Sequence, residues 1–176
     1  SAHTHTQQHM FIDVPNGWAQ ATPHHHMIHG TARGSWWGGV FDEEGIPVTP
    51  MADGVPNGYS FISFDGPKYS VDFRPARMPA DYQMNIWLPD RIALAEVRDT
   101  EAVVNVFAGS SRSRVEMKID NGPWAPMSSF RGKAPYYVEL HNRQTALVEK
   151  LAKAQGKEID KEFLRQTRED LKSILR

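Results

Sequence analysis

The feature that most constrains this chain is where its chain-breaking residues fall. All 12 Pro, 12 of the 13 Gly and all five Trp lie before Glu139. Pro lacks a backbone donor and Gly weakens helices, so a stretch punctuated this densely favours short strands and turns. The hydrophobic period agrees. Tyr69, Val71 and Phe73 alternate with Ser70, Asp72 and Arg74, the pattern of a half-buried strand. Tyr59 to Phe64 forms a second strand, joined to the first through Asp65-Gly66-Pro67-Lys68, a hairpin turn. Tyr82, Met84, Ile86 and Leu88 alternate again until Pro89 stops the ladder. Val103 to Phe107 is a further strand, followed by a turn at Gly109-Ser110-Ser111. Val115, Met117 and Ile119 oppose Glu116, Lys118 and Asp120, and Asn121-Gly122 turns the chain toward Trp124 and Met127. Strands and turns without intervening helices predict an antiparallel β-sandwich-like domain or a small barrel.

From Glu139 the composition changes to nine Lys/Arg, seven Asp/Glu and one Gly. The spacing predicts a helix over residues 139–154, ended by Gly156 in the left-handed conformation. A second helix takes Asp160 as its N-cap, with Ile159 and Leu164 placed to staple its start. Phe163, Leu164, Thr167, Leu171, Ile174 and Leu175 form its apolar stripe. Charges of both signs are interspersed along it, as on an ordinary helix with one buried face.

Composition excludes several classes of function. The chain has 20 Lys+Arg against 21 Asp+Glu, so it carries no electrostatic footprint for nucleic acid. It has no Cys, which removes disulfides, thiolate chemistry and Cys-ligated zinc or iron–sulfur centres. No apolar run approaches the ~18 residues of a membrane span.

Seven of the eight His lie within the first 29 residues: His3, His5, His9, His24, His25, His26 and His29. Imidazole is the commonest protein ligand for transition metals, so this head is where metal chemistry would reside. His3 and His5 would point the same way on a strand, and a tight turn would also aim them at neighbouring ions. By spacing alone, His-x-His pairs are mostly incidental. His24 to His29 read first as loop or packing residues, and second as groups beside an active site. Trp36 and Trp37 are either a packing anchor or a stacking platform for a sugar or other substrate. Asp53 and Asn57 lie in turn-rich sequence, where such side chains bond their own backbone. Arg112 and Arg114 have the fork geometry for phosphate, and are also common at hairpin tips.

Ser1-Ala2-His3-Thr4-His5 resembles the last metal-binding motif of calcineurin-like metallophosphoesterases, which is usually Gly-His-x-His. The blocks Gly34-Ser35-Trp36-Trp37-Gly38-Gly39, Gly45-Ile46-Pro47, Met51-Ala52-Asp53-Gly54 and Pro56-Asn57-Gly58-Tyr59-Ser60-Phe61 are similar to the start of the C-terminal domain of one bacterial branch of that superfamily. Tyr82-Gln83-Met84-Asn85-Ile86 and Val115-Glu116-Met117-Lys118-Ile119-Asp120 continue the similarity to about Tyr137.

The resemblance implies a parent enzyme in which two divalent ions (Mn, Fe or Zn) bridge a hydroxide that attacks phosphorus in line. It implies His3 as ligand to one ion and His5 to the other. The family's Asp-x-His, Gly-Asp and Gly-Asn-His motifs are absent from the chain, and Ala2 stands where Gly is usual. The expectation is therefore a C-terminal fragment with no catalytic residue of its own, no tightly bound metal, and an upstream catalytic domain as its partner. Residues 1–29 would be the remnant of an α/β catalytic core, 30–138 the sandwich-like domain, and 139–176 a helical tail. The substrate class implied is a small phosphorylated compound, and the location implied is periplasmic or exported. Two other readings stand beside it: a non-catalytic β-sandwich module binding carbohydrate or a protein through the Trp-rich face, and a His-cluster metal-binding protein.

Overall fold

A computed structural model describes residues 3–30, 48 and 51–173. The Trp36-Trp37 block, Gly45-Ile46-Pro47, Ile174 and Leu175 lie outside the described residues. Gly66 and Pro67 make a two-residue turn. Gly66 takes φ +56°, the sign the first position of a Gly-led two-residue hairpin loop needs. That turn closes β3 (Gly58–Asp65) onto β4 (Lys68–Pro75) in an eight-pair antiparallel ladder, from Gly58↔Pro75 to Asp65↔Lys68.

Three more hairpins follow the same principle on either side. β1 (Gln8–Ile12) pairs with β2 (His24–Ile28), β5 (Met84–Trp87) with β6 (Val103–Val106), and β7 (Glu116–Met117) with β8 (Ala125–Pro126). The β1–β2 connection is braced by a short 3₁₀ turn at Val14–Asn16 and by the Trp18 indole, which donates to the Thr22 carbonyl at 2.9 Å. All four pairs are antiparallel, so the chain is mainly antiparallel β-structure with C-terminal helices.

The ladders stay as four two-stranded sheets among the described residues, where a sandwich was expected. The reason is visible in the side chains. Met84, Ile86 and Leu88, the alternating apolar residues of the β5 region, are all exposed, Ile86 by 63 %. Residues 61–70 at the far end of β3–β4 are exposed too, Phe64 by 75 %. Ile119 is exposed beyond β7, whose ladder is only two residues long. Residues 3–30 contain β1, the 3₁₀ turn and β2, with no helix of an α/β core.

The core sits at the near end of β3–β4. Met51, Val55, Phe73 and Phe107 are each 2 % exposed, with Tyr82 and Ala108 packed against them. Phe73 meets Phe107 edge-on at 6.2 Å between ring centroids, and Tyr82 lies 5.1 Å from Phe107.

α1 (Pro135–Gln155) starts four residues earlier than the charge pattern suggested, because Pro135 is well suited to the first helical position. It ends as expected. Gly156 donates to the Lys153 carbonyl and Lys157 to that of Ala152, the paired bonds of a Schellman stop. α2 (Lys161–Ser173) opens with the Phe163 amide donating to Asp160 Oδ1 at 2.7 Å, confirming the N-cap. Leu140, Ala152 and Phe163 are buried on these helices.

Candidate functional site

His3 and His5 lie on a bend that leads into β1 rather than on a strand. His3 is exposed and His5 half-buried. His5 adopts φ +55°, a left-handed conformation that costs a non-glycine residue roughly 1–2 kcal/mol and persists where its surroundings hold it. Thr4 and Thr6 share a hydroxyl hydrogen bond of 2.8 Å within the bend, and Gln8 Nε2 donates to Thr6 Oγ1 at 2.9 Å.

Immediately after this bend the chain is tied down at Gln7. Its amide donates to Asp53 Oδ2 at 2.5 Å, and its side-chain Oε1 accepts the Gly30 amide at 3.1 Å. Asp53 itself sits in a Met51–Gly54 turn closed by the Gly54 amide on the Met51 carbonyl. Its Oδ1 accepts the Val55 amide at 3.1 Å, the own-backbone bond that its turn-rich context predicts, and its carbonyl accepts Asn105 Nδ2 at 2.7 Å. The link to Gln7 is the part sequence reasoning missed. A backbone N–H carries no residue signature, so no motif could have pointed to it. Burial pushes the Asp53 carboxyl above its ordinary 3.8, outweighing the backbone N–H groups that favour its charge.

The other His divide into two arrangements. His9, Phe11, His25 and Met27 share one face of β1–β2 by register. On that face His9 Nδ1 and His25 Nε2 are hydrogen-bonded at 2.9 Å, and His25 Nδ1 bonds the Tyr69 hydroxyl of β4. Arg112 lies with its guanidinium carbon 3.6 Å above the Phe11 ring. Burial first, then the charges of Arg112, His24 and His26, holds the His25 imidazole below its ordinary 6.5. Burial, His25 and His29 do the same for His9. His25 spends both ring nitrogens on hydrogen bonds and the cluster lies beside a guanidinium, which suits it poorly to a cation; His9 Nε2 is buried with no hydrogen-bond partner among the described residues. The cluster is a packed junction between β1–β2 and β4, in keeping with the packing reading of this run. His29 is separate: its Nε2 bonds Ser60 Oγ at 2.7 Å and its Nδ1 the Gly30 carbonyl. Arg114, just ahead of β7, pairs with Glu116 at 2.6 Å, and Asn57 accepts the Ala76 amide through its backbone carbonyl.

Among the described residues no group of three or more His, Asp or Glu could hold a metal ion. His3 and His5 have the right donor chemistry for mixed imidazole–carboxylate sites, but the described residues do not by themselves complete one. No helix among them is long and apolar enough to cross a membrane.

Four antiparallel hairpins among the described residues, a small core at the near end of β3–β4 and two C-terminal helices define a mainly antiparallel β-domain. The family model for the C terminal of calcineurin-like phosphoesterase matches residues 26–166, and the chain belongs to that family. The match begins inside β2 and ends inside α2, so both the core and α1 lie within it. No curated protein and no solved structure matches the chain significantly.

Proposed function

We propose that this chain is the C-terminal part of a bacterial phosphate-ester hydrolase that works with two divalent ions. In this reading His3 and His5 each supply one imidazole to the metal centre. The remaining ligands come from an upstream catalytic domain of the same polypeptide. The observation that carries the reading is the family match over residues 26–166 with a His-x-His bend standing just ahead of it. The ions, whether Mn, Fe or Zn, supply the hydroxide nucleophile and neutralise the phosphate oxygens when bound. The chain's own residues hold the two imidazoles on a braced bend. Alone, the chain hydrolyses nothing, and a small phosphorylated compound reaches only the complete enzyme. Export to the periplasm accompanies this reading by the family resemblance.

The test is hydrolysis of p-nitrophenyl phosphate by the complete gene product. His3→Ala and His5→Ala are each expected to abolish turnover, and unchanged turnover in both refutes the ligand roles.

One observation favours a second reading, a non-catalytic binding module. Tyr59 and Phe61 project together from β3, edge-on at 5.5 Å, and both are exposed. Exposed aromatic pairs of this kind stack on carbohydrate rings or anchor protein partners. Glycan binding by the isolated chain that is lost in Phe61→Ala would support it.

A further inference from the structure

Just after the bend that carries His3 and His5, the chain is fixed at Gln7, and the fixing group belongs to the C-terminal domain. Gln7, two residues beyond His5, uses its backbone N–H on Asp53 Oδ2 and its side-chain oxygen on the Gly30 amide. Both anchors reach the core directly. Asp53 stands between the buried residues Met51 and Val55, and Gly30 lies so close to Met51 that an added Cβ would fall 2.0 Å from its sulfur. Asn105 of β6 holds the Asp53 carbonyl from the other side. A half-buried carboxylate with raised proton affinity is an expensive group to keep in a turn. The Val55 amide alone could be satisfied by Ser or Asn at this position; the second carboxylate oxygen is spent on Gln7.

We propose that Asp53 is a positioning residue for the metal centre. It clamps the His3–His5 bend onto the hydrophobic core, so the placement of both imidazoles depends on the C-terminal domain. This rests on the ligand roles proposed above. It gives the accessory domain a task in catalysis without contact with substrate or metal. Groups that orient metal ligands from behind commonly change metal affinity 10–100-fold when removed.

The test uses the complete gene product, Mn²⁺ alone as the probe, and amide hydrogen exchange. Asp53→Asn leaves one acceptor oxygen for two N–H groups, and Asp53→Ala leaves none. In both, the Gln7 amide is expected to lose protection while the Phe61 and Asp72 amides, a hydrogen-bonded pair of β3–β4, keep theirs, which establishes the fold. Mn²⁺ affinity should fall about tenfold, and kcat should fall with KM for p-nitrophenyl phosphate unchanged. In the unsubstituted protein, Mn²⁺ should raise protection at Gln7, because ordering by the ions and by Asp53 is reciprocal. Mn²⁺ affinity within twofold of the original in either folded variant, or no Mn²⁺ effect at Gln7, overturns the clamp while leaving the ligand roles standing. Undiminished Mn²⁺ binding in both His3→Ala and His5→Ala overturns the ligand roles themselves.

Discussion

His9 and His25 face each other across β1 and β2 with Nδ1 and Nε2 2.9 Å apart, one imidazole donating to the other. That bond needs at least one neutral ring, and a second proton would leave two donors in contact. Burial and neighbouring cations already hold both rings below their ordinary 6.5. The unfolded chain therefore binds more protons than the folded one in the range below about pH 6.5, and stability falls as pH is lowered through it. Asp53 has the opposite sign: its raised proton affinity weakens the fold as pH climbs above the ordinary 3.8. Melting temperature measured from pH 8 to pH 5 should decline, and His25→Gln should flatten the decline. A flat profile in the original chain contradicts the neutral-pair account.

Phe73 is the residue on which most of the core depends, since its ring meets Phe107 and its strand carries the longest ladder. Phe73→Ala should cost about 3–5 kcal/mol, the range for deleting a buried aromatic ring. Phe64→Ala, on the same strand pair but three-quarters exposed, should change stability by no more than about 0.5 kcal/mol. Urea unfolding of the two variants side by side checks the contrast.

Gly54 combines two constraints. Its φ of +74° disfavours any side chain, and an added Cβ would lie 2.4 Å from the Ala134 Cβ and 3.1 Å from Asn105 Nδ2. Gly54→Ala should therefore destabilise by more than the ~1–2 kcal/mol of the backbone conformation alone. Loss of the Asn105–Asp53 hydrogen bond should accompany it, readable as a shift of the Asn105 side-chain amide resonances.

Asp160 caps α2 through a single 2.7 Å bond to the Phe163 amide. Asp160→Ala should cost about 1 kcal/mol and fray the helix start. Faster amide exchange at Phe163 and Leu164, with α1 unaffected, is the expected readout.

How much of this was legible in the sequence follows from what each element depends on. β3–β4 announced itself because Tyr69, Val71 and Phe73 alternate and Gly66-Pro67 admits few backbone shapes. The helix ends were legible because Gly156 and Asp160 act on their immediate neighbours. β1 and β2 were not, because their ladder is lined with His and Met, and cross-strand imidazole bonds stand in for an apolar alternation. The alternation over Met84 and Ile86 marks a strand, but period two reports only that its two faces differ, not which one is buried. Among the hairpins only β3–β4 carries buried residues, at its near end, and Met84 and Ile86 of β5 are left in solvent. The His-x-His pair was visible as a motif, whereas its tether to Asp53 joins positions 46 residues apart through a backbone N–H.

The claim that His3 and His5 serve different ions is tested most directly by counting metal. The complete gene product, purified with Mn²⁺ and analysed by elemental mass spectrometry, is predicted to hold two ions per chain. His3→Ala and His5→Ala are each predicted to hold about one, and the double variant none or nearly none. Two tightly held ions in all of these proteins would contradict the account.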